Sequence, residues 1–153
     1  MSKDQPGSYS EPDPENPGWL WWRPADNTRF NGVVMGKIIA RAEDNGHCRV
    51  RMFPKHHHTN FGEKIHGAVI MSLADVSLFV TMRTMRGLIG RGSLTQSLDT
   101  QFISAGTPSK PLDAVVEILR ETHRTAFLRG LIEQEGDLVA SFSATVRKPQ
   151  KKA

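Results

Sequence analysis

Residues 65–86 form an apolar segment that restricts, more than any other part of the sequence, the folds open to this chain. On a helical projection, its apolar side chains cover nearly the whole circumference rather than one stripe. A helix that is apolar all round belongs inside a protein, where other elements cover most of its sides. Gly87 follows the segment, and glycine commonly ends helices. The pattern therefore predicts one long, buried helix.

Turn residues and period-two alternation predict strands on both sides of this helix. Asn45-Gly46 is a strong hairpin signal between the first two strands. On the third strand, Thr95 and Ser97 are expected on one face and Leu98 on the other. The predicted strands are residues 33–42, 47–53, 94–103, 112–120, 125–133 and 138–146. The last four are expected to pair as a meander.

A single antiparallel sheet of six strands has enough area to curl around one helix and bury it. A ferredoxin-like fold would need a second long helix, which the sequence after Leu94 does not offer. We therefore expect an α+β protein with the hotdog fold, in which an antiparallel six-stranded sheet wraps around one long central helix.

The first 24 residues differ in composition from the rest, with five of the nine prolines and acidic residues between them. Such a segment is poor in the apolar surface that folding requires. We expect a disordered arm over residues 1–24, a single hotdog domain over residues 25–148 and a basic tail over residues 149–153. The aromatic cluster at residues 19–22 either anchors the arm to the domain or acts as a lid over a ligand pocket.

The net charge of +4 and the single cysteine limit the partners and the location of the chain. Much of the positive excess lies in the tail, and aromatic residues are not interleaved with basic ones, so nucleic-acid binding is not expected. A mildly basic protein does attract polyanionic small ligands. Residues 69–82 are too short and too polar to span a bilayer, and Cys48 has no partner for an internal disulfide. These features predict a cytoplasmic protein without a membrane segment.

Asp75 lies in the middle of the predicted buried helix, between Ala74 and Val76. Burial disfavours the ionised form of a carboxyl group, and aspartate is a poor residue for a helix interior. A catalytic role is one common reason for such a residue. The alternative is a structural aspartate that bonds to a neighbouring serine or backbone group, and position alone leaves both open.

His66-Gly67 stands at the predicted start of the same helix. A helix N-terminus presents unpaired backbone N–H groups and a partial positive charge. Glycine there lets a carbonyl oxygen approach the backbone closely, which polarisation of that carbonyl requires. A plain helix start is the simpler interpretation of the same two residues.

Residues around the helix and on the strand after it have a recognisable spacing. They are Asn60, His66, Gly67, Leu73, Ala74, Asp75, Thr95, Leu98 and Phe102. Together they resemble the signature of hotdog-fold acyl-CoA thioesterases of the phenylacetate-degradation (PaaI-like) type, over roughly residues 30–147. Many relatives have a second glycine where this chain has Ala68. The resemblance implies hydrolysis of an acyl-CoA to a free acid and CoA, with no cofactor and no metal.

Carried over to this sequence, the resemblance gives each matching position a role. The backbone N–H of Gly67 would bind the thioester carbonyl oxygen, and Asp75 would be the nucleophile or the general base. Asn60 would orient the carbonyl or the lytic water. His66 would hold the turn and the helix start in place.

Four further residues are candidates for contact with the substrate or its water. Thr95 falls where some relatives place a hydroxyl that positions water, and Ser97 is a second candidate for that role. Phe79 suggests an apolar acyl pocket. Arg91 belongs to an arginine cluster near the helix C-terminus, which either complements the helix dipole or contacts CoA phosphates.

The spacing of Gly67 and Asp75 requires two chains. Eight residues separate them, which is about 12 Å along a helix axis. A carbonyl oxygen must lie within about 3 Å of its N–H donor, and the attacking group about 3–3.5 Å from the carbonyl carbon. Two antiparallel helices related by a two-fold axis meet both conditions. We therefore expect a homodimer, or a dimer of dimers, with two sites in each dimer.

Three other features are interpreted as structural. The consecutive histidines 56–58 point in different directions and lack companion ligands, so they do not predict a metal site. Glu63 precedes the helix and is expected in a solvated loop. Cys48 alternates inward on a strand and is expected in the core rather than as a nucleophile.

Two other functions stay open. A hotdog hydratase or dehydratase would use a histidine with a carboxylate, and the proline-glycine motif expected near such a site is missing here. A non-catalytic acyl-CoA sensor would need a DNA-binding module, for which the 24 residues before Ala25 are too short and too rich in proline.

Overall fold

The computed structural model describes residues 7–87 and 92–149. One long helix, α1 (Gly67–Arg86), packs against one face of an antiparallel sheet. The strands are β1 (Ser8–Pro12), β2 (Leu20–Pro24), β3 (Ile38–Ala42), β4 (Cys48–Met52), β5 (Leu94–Phe102), β6 (Leu112–Glu121), β7 (Thr125–Gln134) and β8 (Asp137–Arg147). Their order across the sheet is β1-β2-β3-β4-β6-β7-β8-β5. The predicted long helix on an antiparallel sheet is confirmed, but the prediction of six strands is wrong, because the sheet has eight.

The two additional strands, β1 and β2, lie in the segment that composition predicts to be disordered. They form an antiparallel hairpin, and β2 pairs with β3. The buried Asp13 closes the connection between them. Its carboxylate accepts hydrogen bonds from the backbone N–H of Glu15, the side-chain amide of Asn16 and the ammonium of Lys37. The proline-rich composition of this segment did not indicate a hairpin. Polar contacts, rather than buried apolar surface, stabilise its turn.

The tryptophans fix the N-terminal hairpin to both faces of the sheet. Trp22 is buried in the core on the side of α1. Trp19 lies on the opposite face, where the guanidinium groups of Arg41 and Arg51 lie 4.5 and 4.8 Å from its ring centroid. Cation–π contacts of this kind favour a docked aromatic ring. Trp19 therefore acts as an anchor, whereas Trp22 also lines a cavity described below.

The prediction of a strand over residues 33–42 is wrong for the first half of that range. Asn31–Met35 form a π-helical turn, and β3 begins only at Ile38. Gly36 between them has a φ of 68°, a conformation that glycine adopts without strain. The predicted hairpin at Asn45-Gly46 is confirmed, because it joins β3 to the antiparallel β4.

The four strands after the helix do not form the predicted meander. β6, β7 and β8 pair in sequence order, but β5 pairs with β8 and lies at the sheet edge. β6 pairs with β4, so the connection after β5 crosses from the edge to the middle of the sheet. The carbonyl of Gly106 in this connection accepts a hydrogen bond from the Ile65 N–H at 2.9 Å. Alternation identifies strands but not their partners, so the crossing was not visible in the sequence.

By length and composition alone, α1 could be mistaken for a membrane span. Its buried residues instead form one core with the sheet, and they include the polar Ser77 and Thr81. The sheet curls so far around the helix that Ser8 of β1 and Ser93, just before β5, line the same cavity. α1 is therefore the central helix of the fold rather than a membrane segment.

His58 connects the loop before α1 to the π-helical turn. Its Nε2–H donates to the carbonyl of Val34 at 2.6 Å, and its Nδ1 accepts from the backbone N–H of Lys55 at 2.8 Å. These two bonds can form together only when the imidazole ring is neutral, because Nδ1 must be unprotonated to accept. Burial lowers the pKa of His58 below its ordinary value of 6.5. This buried ring therefore holds in place the turn that carries Asn31.

We predict that His58 makes the stability of the protein depend on pH. Because the unfolded histidine binds its proton at a higher pH than the folded one, the free energy of unfolding has its full value above about pH 6.5. It falls as the pH is lowered through the folded pKa. His58→Ala should lower it by about 1–3 kcal/mol at neutral pH, because Val34 and Lys55 lose their partner. Urea denaturation between about pH 8 and pH 5 measures both effects. His56→Ala, at an exposed position in the same turn, is the control, and an equal loss in both variants would contradict the assignment.

Candidate functional site

Asp75 lies midway along α1, on a side that the sheet leaves partly open. Its carboxylate is half-buried, and its Oδ1 accepts a hydrogen bond from the Thr95 hydroxyl at 2.6 Å. Its Oδ2 accepts no hydrogen bond from the residues that the structure describes. A donor on one oxygen orients the carboxylate and leaves the second oxygen for a ligand or a water. The structure thus brings together two of the predicted site residues, Asp75 and Thr95.

A β-bulge places Thr95 on the helix side of the sheet. Ser97 pairs with Thr145 of β8, but the register shifts by one residue between Thr95 and Ser97. Thr95 therefore pairs with Val146, a core residue on the face that α1 covers. Ser97 points to the other face of the sheet, away from Asp75. The predicted common face of Thr95 and Ser97 is wrong, because the extra residue of the bulge reverses the alternation.

The start of α1 leaves one backbone N–H group without a partner. His66 caps the helix, and its Nδ1 accepts from the backbone N–H of Ala68 at 3.0 Å. The N–H of His66 donates to the carbonyl of His58 at 2.8 Å. Gly67 is the first residue of the helix, and its N–H donates no hydrogen bond within the described part of the chain. Such a group, at the positive end of a helix dipole, can bind an oxygen that carries negative charge.

Phe102 lies against Gly67 at the rim of the sheet. A Cβ atom added to Gly67 would lie 3.4 Å from the ring atom Cε1 of Phe102, which is an ordinary contact. The Phe102 side chain is 51% exposed, although it is large and apolar. Gly67 therefore sits beside an uncovered apolar surface at the edge strand β5.

Asn60 lies in the loop before α1 and stabilises that loop. Its Oδ1 accepts hydrogen bonds from the backbone N–H groups of Gly62 at 2.9 Å and Lys64 at 3.2 Å. These bonds occupy the carbonyl oxygen, so the amide Nδ2 is the part of the side chain that can act on a ligand. The two cavities that contain Asp75 do not contain Asn60. Within one chain, these two predicted site residues are therefore not brought together.

Two cavities meet at Asp75. The first, of about 230 Å³, follows α1 toward the N-terminal hairpin. Its walls include Ser8, Trp22, Phe79, Met82, Arg83 and Ser93. The second, of about 350 Å³, is more open and lies toward β5, with Phe30, Met71 and Leu98 in its walls. The carboxylate thus stands between an inner, largely apolar space and an outer one.

The inner cavity contains one of the predicted substrate-contacting residues and several others. Phe79 lines this cavity, whereas Arg91 lies outside the described residues. Trp22, Asn31 and Arg83 line the same cavity and were not assigned to it from the sequence. For Trp22, the aromatic cluster at residues 19–22 had suggested a lid over a ligand pocket as one of two interpretations. Arg83 belongs to the arginine cluster for which the helix dipole or CoA phosphates were expected, and Asn31 had no sequence signal, because only the fold brings both residues to this cavity.

Cys48 and the three consecutive histidines have structural positions. Burial raises the pKa of the Cys48 thiol to about 11, so the thiolate is scarce at neutral pH. The ring nitrogens of His58 are both engaged with backbone groups. Over residues 7–87 and 92–149, no three His, Cys, Asp or Glu side chains are grouped so that they could hold a metal ion. Cys48 is therefore a core residue rather than a nucleophile.

The family model of the thioesterase superfamily matches residues 62–141, which is just over half of the chain. The matched range includes α1 and every predicted site residue except Asn60. A comparison with curated proteins finds no match.

Solved structures share the fold over most of the chain. The TT0310 protein of Thermus thermophilus is 24% identical, over 72% of this chain and 91% of its own, with a TM-score of 0.60. The conserved protein PA5202 of Pseudomonas aeruginosa is 23% identical, over 82% and 99%, with a TM-score of 0.67. The PaaI protein from the phenylacetic acid degradation operon of E. coli is 19% identical, over 75% and 81%, with a TM-score of 0.64. At these identities, the likeness establishes the fold alone.

Gly67→Pro should keep the fold and remove the unpaired N–H. Proline is favoured at the first helical position, where its missing N–H has no partner to lose. The backbone of His66, with φ −64° and ψ 138°, already has the extended conformation that a residue before proline needs. Gly67→Pro and the control Gly67→Ala should each change the free energy of unfolding by about 1 kcal/mol or less, measured by urea denaturation. A loss of about 3 kcal/mol with proline alone would mean that this N–H is bonded in the folded protein.

Proposed function

The chain belongs to the thioesterase superfamily, with a hotdog fold of the PaaI type, and we propose that it hydrolyses acyl-CoA thioesters to a free acid and CoA. The environment of Asp75 carries the proposal. The Thr95 hydroxyl donates a hydrogen bond to Oδ1 of Asp75, and Oδ2 has no partner among the described residues. A largely apolar cavity adjoins this carboxylate. Nucleophilic and general-base catalysis both use a carboxylate that is fixed in this way next to a substrate-sized space.

The proposed reaction breaks the carbon–sulfur bond of the thioester and consumes one water. In one route, Oδ2 of Asp75 attacks the carbonyl carbon, CoA leaves as the thiolate, and water hydrolyses the resulting mixed anhydride. In the other route, Oδ2 takes a proton from a water molecule, which attacks the carbonyl carbon directly. Both routes use the same oxygen and give the same products, and both are compatible with the hydrogen bond from Thr95 to Oδ1.

The negative charge that develops on the thioester oxygen needs a hydrogen-bond donor, and we assign this role to the N–H of Gly67. One chain cannot supply both groups, because Gly67 and Asp75 are about 12 Å apart along the same helix. In the proposed enzyme, Asp75 of one protomer therefore acts together with Gly67 of the partner subunit.

The edge strand β5 is the surface on which such a dimer would form. Within the described chain β5 pairs only with β8, so its second edge presents backbone groups that another strand could pair with. The apolar side chains of Met71, Leu94 and Phe102 are exposed near this edge. Antiparallel pairing of two β5 strands about a two-fold axis would set two α1 helices side by side in opposite directions. The composite site needs this arrangement.

The outer face of the sheet supports a proposed dimer of dimers. Phe127 and Leu131 of β7 are exposed on the face that α1 does not cover. Apolar side chains on one sheet face often mark a contact with another protein. We propose that two dimers associate through this face.

The other predicted residues have narrower proposed roles. His66 positions Gly67 by capping α1, and the Nδ2 group of Asn60 is free to orient the carbonyl or the water of a site shared between chains. Phe79 forms part of the acyl pocket. A contact of Arg91 with CoA phosphates stays a prediction, as does a cytoplasmic location. A role for Ser97 is disfavoured within one chain, because Ser97 points away from Asp75.

Asp75→Asn should lower kcat/KM by about 10²–10⁴-fold and leave the fold intact. The amide oxygen of asparagine can still accept the hydrogen bond from Thr95, but it neither attacks a carbonyl nor takes a proton from water. Release of free CoA thiol from short, medium, long and aryl acyl-CoAs measures the effect. Unchanged thiol release by a folded variant would refute the mechanism. Wild-type protein that binds these acyl-CoAs without releasing thiol would instead be an acyl-CoA-binding protein.

A mixed dimer should regain activity when its two chains carry different lesions. One chain carries Asp75→Asn and the other Gly67→Pro, so one composite site holds both changes and the second site holds neither. Each homodimer should be at least about 10²-fold less active than wild type, whereas the mixed dimer, purified through two different tags, should recover about half of the wild-type activity.

The matched control places both substitutions in one chain and pairs it with a wild-type chain. In this dimer each composite site has one lesion, so the shared-site arrangement predicts little activity although an intact chain is present. Half activity in the control, together with none in the first mixed dimer, would show that each chain is catalytically complete by itself.

A further inference from the structure

Arg83 lines the inner cavity, and among the described residues no carboxylate forms an ion pair with it. Its Nε–H donates to the hydroxyl of Ser10 at 3.1 Å. Its Nη1 is buried and has no hydrogen-bond partner among the described residues. The neighbouring Arg86, by contrast, forms an ion pair with Glu121 at 2.9 Å. Leaving a buried charged donor unpaired destabilises a protein, so a ligand that brings a negatively charged acceptor to Nη1 would be stabilised there.

The cavity connects Arg83 to the reacting carboxylate. Asp75, Phe79 and Arg83 follow one another at intervals of four residues along α1, and all three line the same space. Phe79 lies between the two charged residues along the helix, and the apolar side chains of Trp22 and Met82 also line the cavity. A ligand that reaches from Asp75 to Arg83 therefore needs a polar end at each site and an apolar middle.

The size and position of the cavity favour the acyl group over the nucleotide part of CoA as that ligand. About 230 Å³ is below the usual range of about 300–1,000 Å³ for pockets that enclose drug-sized molecules. The cavity is also walled by the N-terminal hairpin, through Ser8 and Trp22. The acyl group is the part of the substrate with a suitable size.

We infer that the preferred substrate is an acyl-CoA whose acyl chain ends in a carboxylate, which Arg83 binds while the thioester lies at Asp75. The inference rests on the proposed thioesterase function. A carboxylate accepts two parallel hydrogen bonds from a guanidinium group, and it supplies the charge that Arg83 lacks. A plain alkyl group would leave the buried Nη1 unpaired.

The spacing of Asp75 and Arg83 along α1 also favours a particular length of acyl chain. Asp75 and Arg83 are eight residues apart, about 12 Å along the axis, although the arginine side chain points back toward the helix N-terminus and shortens the gap. A substrate carboxylate placed directly beside Asp75 would be repelled by it. A chain of several methylenes keeps the two carboxylates apart, so medium-length diacid monothioesters fit better than two- or three-carbon ones.

The test compares adipoyl-CoA with hexanoyl-CoA, which have chains of equal length and differ in the terminal carboxylate. Wild-type enzyme should have at least about tenfold higher kcat/KM for adipoyl-CoA. Arg83→Met should lower the ratio of the two kcat/KM values by about 10- to 100-fold, because a charge-assisted contact is lost. Arg83→Lys keeps the charge but not the planar fork, and it should retain part of the preference.

Arg86→Met is the matched control, because it removes a neighbouring arginine that already has a partner, and it should leave the ratio unchanged. Equal hydrolysis of both thioesters by wild-type enzyme, or a ratio that Arg83→Met does not change, would overturn this inference and leave the thioesterase proposal standing. Failure to release thiol from any acyl-CoA would overturn both.

Discussion

The need to bury most of α1 determines the architecture of this protein. A helix that is apolar around its circumference cannot lie on a flat sheet, because half of its surface would stay exposed. The sheet therefore curls until Ser8 at one side and Ser93 at the other line a single cavity against the helix. The cover is incomplete along the side of α1 that carries Ala68, Met71 and Asp75, and two cavities meet at Asp75. Burial of the helix and access to its one acidic residue are thus two results of the same curvature.

The parts of the fold that the sequence predicted well are those controlled by local chemistry. The helix ends at Gly87, which has a φ of 63°, and the first hairpin turns at Asn45-Gly46, so these boundaries follow from backbone preferences. The partner of β5 and the N-terminal hairpin depend instead on distant contacts. The hairpin is held by Asp13 and by two tryptophans, whose effect is not visible in a segment average of hydrophobicity.

In the candidate site too, some features could be predicted from the sequence and others could not. The pairing of Asp75 with Thr95 could be expected because the resemblance supplied both residues at a known spacing. Their geometry could not, because a one-residue bulge sends Thr95 toward the helix and Ser97 away from it. The arginine cluster near the helix C-terminus, to which Arg83 belongs, suggested the helix dipole or CoA phosphates. Only the folded chain shows that Arg83 lines the cavity and that its buried Nη1 has no partner among the described residues. Side-chain direction, rather than residue identity, was the missing information.

The N-terminal hairpin has a further consequence for how proteins of this kind diversify. The hairpin supplies one wall of the inner cavity, while the acidic residue and its threonine partner lie on α1 and β5. Because these parts lie far apart in the sequence, insertions or exchanges in residues 7–24 would alter the walls of the inner cavity without replacing Asp75 or Thr95. The shape of the cavity can therefore vary independently of the carboxylate that adjoins it.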